Sequence, residues 1–125
     1  MLTAGAERLE TPFANDPFAL VARAFKNLYS EREYIAYIVP EVVDEEGNAV
    51  FGATTFPDDG STPIVELSGD NPILRGIEIF AHELAHIATP EDQDHGEKWE
   101  CAFNRIFEEY NRIAEQLFGK DGGKC

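Results

Sequence analysis

Apolar residues recur along this chain with two different periods, and the switches between them mark its elements. Phe18, Val21, Ala22, Phe25, Leu28 and Tyr29 fall three or four residues apart, the spacing that lines one face of a helix. Asp16 and Pro17 mark its start. An aspartate there can accept from the free amides of the first turn, and proline suits the first helical position because its missing N–H has no partner there. The pattern predicts an amphipathic helix of roughly 15 residues. Residues 1–12 show no clear period and read as a loose arm.

From Tyr34 to Val43 the chain is rich in β-branched and aromatic residues, which fit a pleated surface and predict a strand. Asp44-Glu45-Glu46-Gly47-Asn48 reads as a turn in which Gly47 and Asn48 tolerate positive φ, so Ala49 to Phe56 is expected to return as the second strand of a hairpin. A second turn, from Pro57 to Ser61, leads to a short third strand from Pro63 to Ser68. This last strand is expected at the sheet edge, with Pro63 and Glu66 guarding it against aggregation.

The helical period then returns. Ile73, Leu74, Ile77, Phe80, Ala81, Leu84, Ala85 and Ala88 give a broad apolar face, with Asn71 expected as N-cap and Pro72 at the first position. Thr89-Pro90 should end this helix, because the residue before proline avoids the helical region. Asp94 and Glu97 form a D-x-x-E capping pattern for a last helix carrying Trp99, Ala102, Phe103, Ile106, Tyr110, Ile113 and Leu117, with Gly119 as its C-terminal cap. The order is helix, three strands, helix, helix: a single α+β domain spanning residues 1–125.

Charge narrows the range of partners. Ten Lys and Arg face 24 Asp and Glu, a formal −14, and no cation occurs between Arg32 and Arg75 where nine carboxylates do. Such a surface repels phosphate, so direct nucleic-acid binding is not expected, nor is binding to anionic membranes. It suits a peptide or protein substrate, basic ones included. No apolar run reaches the roughly 20 residues of a membrane helix, and the first residues lack the basic and apolar regions of a secretory signal. Two cysteines, Cys101 and Cys125, make no disulfide framework; Cys101 is expected as a small buried hydrophobe. Together these features suggest the cytoplasm.

The chemistry is concentrated in His82-Glu83-Leu84-Ala85-His86, inside the second predicted helix. Residues four apart on a helix share one face, so both imidazoles can reach one ion, and neutral imidazole is a good zinc ligand. Glu83, next to the first ligand, is placed to act as general base on a metal-activated water. The chain's remaining histidine, His95, follows nine residues after His86 and is expected at the start of the last helix, as a third ligand that leaves a fourth position for water.

This pattern, followed by His95-Gly96-Glu97-Lys98-Trp99, resembles the HExxH…HGxxW/F arrangement of SprT-like and related small zincin metallopeptidases, over roughly residues 63–100. The resemblance implies a zincin-like fold: an N-terminal helix, a three-stranded, mostly antiparallel sheet, an active-site helix and a C-terminal helix. It implies bound Zn2+ held by His82, His86 and His95, and peptide hydrolysis with Glu83 as base. Trp99 falls on the family's aromatic position, although core packing alone accounts for it. The metzincin extension is absent, since Thr89 and Asp92 stand where it requires glycine and histidine. A gluzincin would draw its third ligand from a glutamate such as Glu97, Glu100, Glu108 or Glu109. The third strand would present an edge to an extended substrate, and Tyr110 or Arg105 would be candidates to stabilise the oxyanion. The alternative function is a non-catalytic protein-binding module that zinc only staples together.

Overall fold

The computed structural model of the protein describes residues 11–118. The arm is thus seen only from Thr11, whose hydroxyl donates to Asp16 Oδ2 at 2.6 Å; the rest of it, Gly119 and Cys125 lie outside the described residues. The described chain is α+β, with three helices and five short strands. Helix α1 spans Pro17–Leu28, capped as expected by Asp16, whose Oδ1 accepts from the amides of Phe18 and Ala19. Strands β1 (Ile35–Val39), β2 (Val42–Val43), β3 (Ala49–Val50), β4 (Gly52–Thr55) and β5 (Ile64–Ser68) follow, then α2 (Ile73–Ala88) and α3 (Glu97–Phe118).

The two long predicted strands are each broken. Pro40 divides the first: without an N–H it cannot carry the ladder onward, and the chain bends before β2. A bend at Phe51 divides the second. The hairpin at Gly47, where φ is +88°, forms as expected but stands as its own sheet, Val42 opposite Val50 and Val43 opposite Ala49. The main sheet has the order β1-β5-β4. Strand β5 runs parallel to β1, with Ile35 beside Ile64, and antiparallel to β4, with Thr55 beside Ile64. Two of the three strand pairings are therefore antiparallel, but β5, expected at the edge, is central. Its inward residues Val65 and Leu67 are buried against α2, and the pairings with β1 and β4 satisfy its backbone on both sides. The edge beside α2 is β4.

Helix α2 lies between the sheet and the α1–α3 pair. It buries Ile77, Phe80, Ala81, Leu84, Ala85, Ile87 and Ala88, which meet Val21 and Phe25 of α1, Val65 and Leu67 of β5, and Ala102 and Ile106 of α3 in one core. Its second half, from Phe80 to Ala88, is buried on nearly every side, while its first turns expose Ile73, Leu74, Arg75 and Glu78. It starts one residue later than expected. Pro72 is the cap, and the Asn71 side chain instead donates to the Phe51 carbonyl at 3.2 Å. Cys101 is exposed rather than buried, because the inward stripe of α3 runs through Ala102, Ile106 and Ile113 and leaves position 101 on the outer side. No helix among the described residues is long and apolar enough to cross a membrane.

Candidate metal centre

The second half of α2 carries His82 and His86 one turn apart, with ring centroids 5.1 Å from each other. The helix ends where expected, at Thr89 before Pro90. The Thr89 hydroxyl bonds back to the Ala85 carbonyl at 2.8 Å, and the Gln93 side chain donates to the carbonyls of Thr89 (2.9 Å) and His86 (3.3 Å). The free carbonyls of the helix end are thus satisfied by the loop that follows, which pins the loop against the helix.

His95 lies in that loop and not in α3, which begins at Glu97. Asp92, not Asp94, caps α3: its Oδ1 accepts from the Gly96 amide at 3.0 Å, and its Oδ2 from Lys98 at 3.0 Å and Trp99 at 3.2 Å. Those bonds, led by that from Trp99, hold the Asp92 carboxyl below its ordinary range. The four-residue reach from Asp92 to Gly96 encloses His95 with a φ of +62°, a left-handed backbone that histidine adopts more readily than most residues. The turn sends the His95 ring back over α2.

Three imidazoles converge there. His95 Nε2 is 3.0 Å from His86 Nε2, and the ring centroids of His95 lie 4.9 Å from His82 and 4.8 Å from His86. One donor atom from each histidine lies within 4.8 Å of the others, so the group can hold a metal ion. Two nitrogens bound tetrahedrally at zinc distances stand about 3.3 Å apart, so the 3.0 Å separation needs little adjustment. The protonation state also fits. Burial, then the neighbouring His82 and His95, push the His86 pKa down to about 4, against a smaller opposite pull from Asp92; burial and His95 lower His82 as well. Both rings are therefore neutral, as ligands must be. His86 Nδ1 is buried without a hydrogen-bond partner, so this ring has only its Nε2 edge to offer. His86 is buried, His82 half-buried and His95 exposed, which leaves the cluster open on the His95 side.

Glu83 lies on the adjoining face of the helix, towards β4. It is 6% exposed, and its Oε1 accepts from the Thr54 hydroxyl of β4 at 2.6 Å. Burial raises its pKa, and the bond from Thr54 partly offsets that rise. Gly52 lies close by: a Cβ there would sit 2.7 Å from Ile79 Cγ2 and 3.1 Å from the Glu66 carbonyl, both too close, and 3.4 Å from Glu83 Oε2, an ordinary contact. Trp99 combines two roles. It stacks on Phe103 at 5.2 Å and 9° within the core, and it stands edge-on to His95 at 4.6 Å and His82 at 4.8 Å, its Nε1 donating to the His82 carbonyl at 3.3 Å.

The structure thus gathers His82, His86 and His95, with Glu83 on the adjoining face. The other candidates are engaged elsewhere or exposed. Tyr110, eleven residues beyond Trp99 and so about 16 Å along α3, packs edge-on against Phe107. The Arg105 guanidinium lies over the Tyr29 ring at 5.6 Å. Glu109 binds Arg112 and Asn27, while Glu97, Glu100 and Glu108 are exposed. Gln93, Thr54 and Gly52 are not marked by the sequence, and Asp92 is marked there only as the residue standing where a metzincin needs histidine, not as a cap. Asp92 had a visible rival in the local D-x-x-E pattern at Asp94; Gln93 bonds locally, back to the helix end, but no capping pattern marks it; and the partners of Thr54 and Gly52 come from packing distant in sequence. Comparison of the chain with family models, with curated proteins and with solved structures finds no match.

Proposed function

We propose that the protein is a small zinc-dependent peptidase of the zincin kind, similar to SprT-like enzymes. The observation that carries this reading is the convergence of three imidazole donors on an HExxH helix whose glutamate is buried beside them in sequence. Zinc at this centre would supply an activated water and a charge to polarise the scissile carbonyl. His82, His86 and His95 would hold the ion, with His86 kept neutral by burial. Glu83 has the raised pKa of a base poised to take and return a proton; Thr54 fixes its Oε1, leaving Oε2 to carry that proton to the leaving amine. Asp92 sets the loop that aims His95, and Trp99 walls the cluster from the core side. The free edge of β4 would receive the substrate backbone.

The test pairs metal content with turnover. The purified chain should bind about one zinc, and Glu83→Gln should keep the metal and the fold while peptide hydrolysis falls by about a hundredfold or more. His95→Ala should weaken zinc in a competition titration far more than Glu100→Ala. A chain that takes up no zinc, or a Glu83→Gln variant with wild-type turnover, would overturn the proposal. The bond from Thr54 to Glu83 favours one second reading, in which Glu83 is a structural tie between α2 and β4 and zinc only staples the domain. A metal-loaded chain that cleaves nothing across a broad peptide library would select it.

A further inference from the structure

The edge of the sheet remote from the metal centre is unusually bare. Strand β1, Ile-Ala-Tyr-Ile-Val, has β5 as its one neighbour in the sheet. Ile35, Tyr37 and Ile38 are 45%, 52% and 63% exposed. Ile38 lies beside Leu67 and so belongs to the face that α2 covers, yet it protrudes beyond that cover. Free edges normally carry a lysine, a proline or a bulge that discourages pairing. Between Ile35 and Val39 there is none, and the strand carries no charge.

The register shows which backbone groups this edge offers. The Ile35 amide donates to the Pro63 carbonyl at 2.9 Å, and the Gly69 amide donates to the Val39 carbonyl at 2.6 Å. Residues 35, 37 and 39 therefore turn their backbone groups towards β5, and the N–H and C=O of Ala36 and Ile38 point outward. These outward groups are self-complementary. If a second β1 lies antiparallel about Tyr37, Ala36 faces Ile38 of the other copy and Ile38 faces its Ala36. Each is a hydrogen-bonded pair, giving four bonds, and the small Ala36 leaves room for the exposed Ile38. Tyr37 then meets its own counterpart, and Ile35 meets Val39. Pro40, lacking an N–H, ends the ladder before Glu33 and Glu41 come face to face.

We infer that β1 pairs with β1 of a second copy across a two-fold axis at Tyr37, joining the two sheets into one of six strands. The charges at the two ends of the strand agree with this. Arg23, Lys26 and Arg32 gather with Glu33 around the start of β1, while Glu41 and Asp70 lie near its far end, where the one cation among the described residues, Arg75, is stacked over Phe51 and leaves a net negative charge. An antiparallel arrangement brings the cationic end of each copy to the acidic end of the other. The net −14 on each chain opposes association at low salt, but it acts over distances that physiological salt screens.

Sedimentation equilibrium of the full chain should give a mass twice 13.9 kDa at high micromolar concentration, with tighter association as salt rises from low to physiological. Ile38→Lys, at an exposed position, should keep the fold by circular dichroism and weaken association by about tenfold or more. The register is tested separately, in a background of Cys101→Ser and Cys125→Ser. Tyr37→Cys should cross-link between copies on mild oxidation, and Ile35→Cys, which faces Val39, should not. A monomer at every concentration, association unchanged by Ile38→Lys, or equal cross-linking at positions 35 and 37 would overturn the inference, a monomer leaving the edge to some other chain.

Discussion

His86 is held neutral by burial and by the imidazoles around it, which pushes its pKa down to about 4 from an ordinary 6.5. Between those values the unfolded chain binds a proton that the native chain refuses. Stability from this residue is therefore complete above pH 6.5 and is lost as pH falls towards 4. Denaturant midpoints of the chelator-treated protein should fall over that window, and His86→Gln should show a shallower fall. Glu83 runs the other way. Its raised pKa means the native carboxyl keeps a proton the unfolded chain gives up, so its burial costs stability as pH rises above the ordinary carboxylate range. Glu83→Gln removes that cost and keeps an acceptor for Thr54. At pH 7 its unfolding midpoint should equal or exceed that of the wild type. Asp92 acts on backbone geometry instead. Asp92→Ala releases the amides of Gly96, Lys98 and Trp99 and frees the loop that aims His95, so zinc affinity should fall by about ten- to a hundredfold. Asp94→Ala, in the same competition titration, should leave it unchanged.

Among the elements, α2 and β4 are the pair whose spacing matters most. They approach at Gly52, where a methyl group would press on Ile79 and on the Glu66 carbonyl. Ile79 is β-branched and stiff within a helix, and the carbonyl belongs to the neighbouring strand, so neither can give easily. Gly52→Ala should cost about 1–3 kcal/mol in denaturant unfolding. The helices were readable because their signals are local: a 3.6-residue apolar period, Asp16 before Pro17, Thr89 before Pro90. The sheet was only partly readable. Pro40 was a visible warning that the first strand would break. Nothing in the alternation of β5, however, tells which strands lie beside it, because pairing depends on contacts distant in sequence.

For the molecule as a whole, the three imidazoles join α2 to the loop that launches α3, so a bound ion cross-links two of the helices around the core. An ion that binds only the native state stabilises it by RT ln(1 + [L]/Kd), about 2.7 kcal/mol at a hundredfold excess over Kd. Thermal unfolding with added zinc should therefore occur at higher temperature than with chelator. His82→Ala should remove most of that difference while leaving the chelator-treated midpoint nearly unchanged, since the ring is half-buried and outside the apolar core.

The sequence by itself determined the α+β class, the three helices and the pairing of His82 with His86, because helical period and i, i+4 spacing are properties of neighbouring residues. It also marked His95 as a ligand candidate, although not how it arrives. Only the tertiary structure decided that Asp92 rather than Asp94 caps α3, that His95 reaches α2 from a left-handed loop position, that Glu83 meets Thr54, and that β5 is central and β1 bare. Asp92 reaches only to residues 96–99, but the competing local pattern at Asp94 hid it. The meeting of Glu83 with Thr54 and the strand order depend on segments distant in sequence brought together by burial of a shared core, an energy that a local pattern does not record.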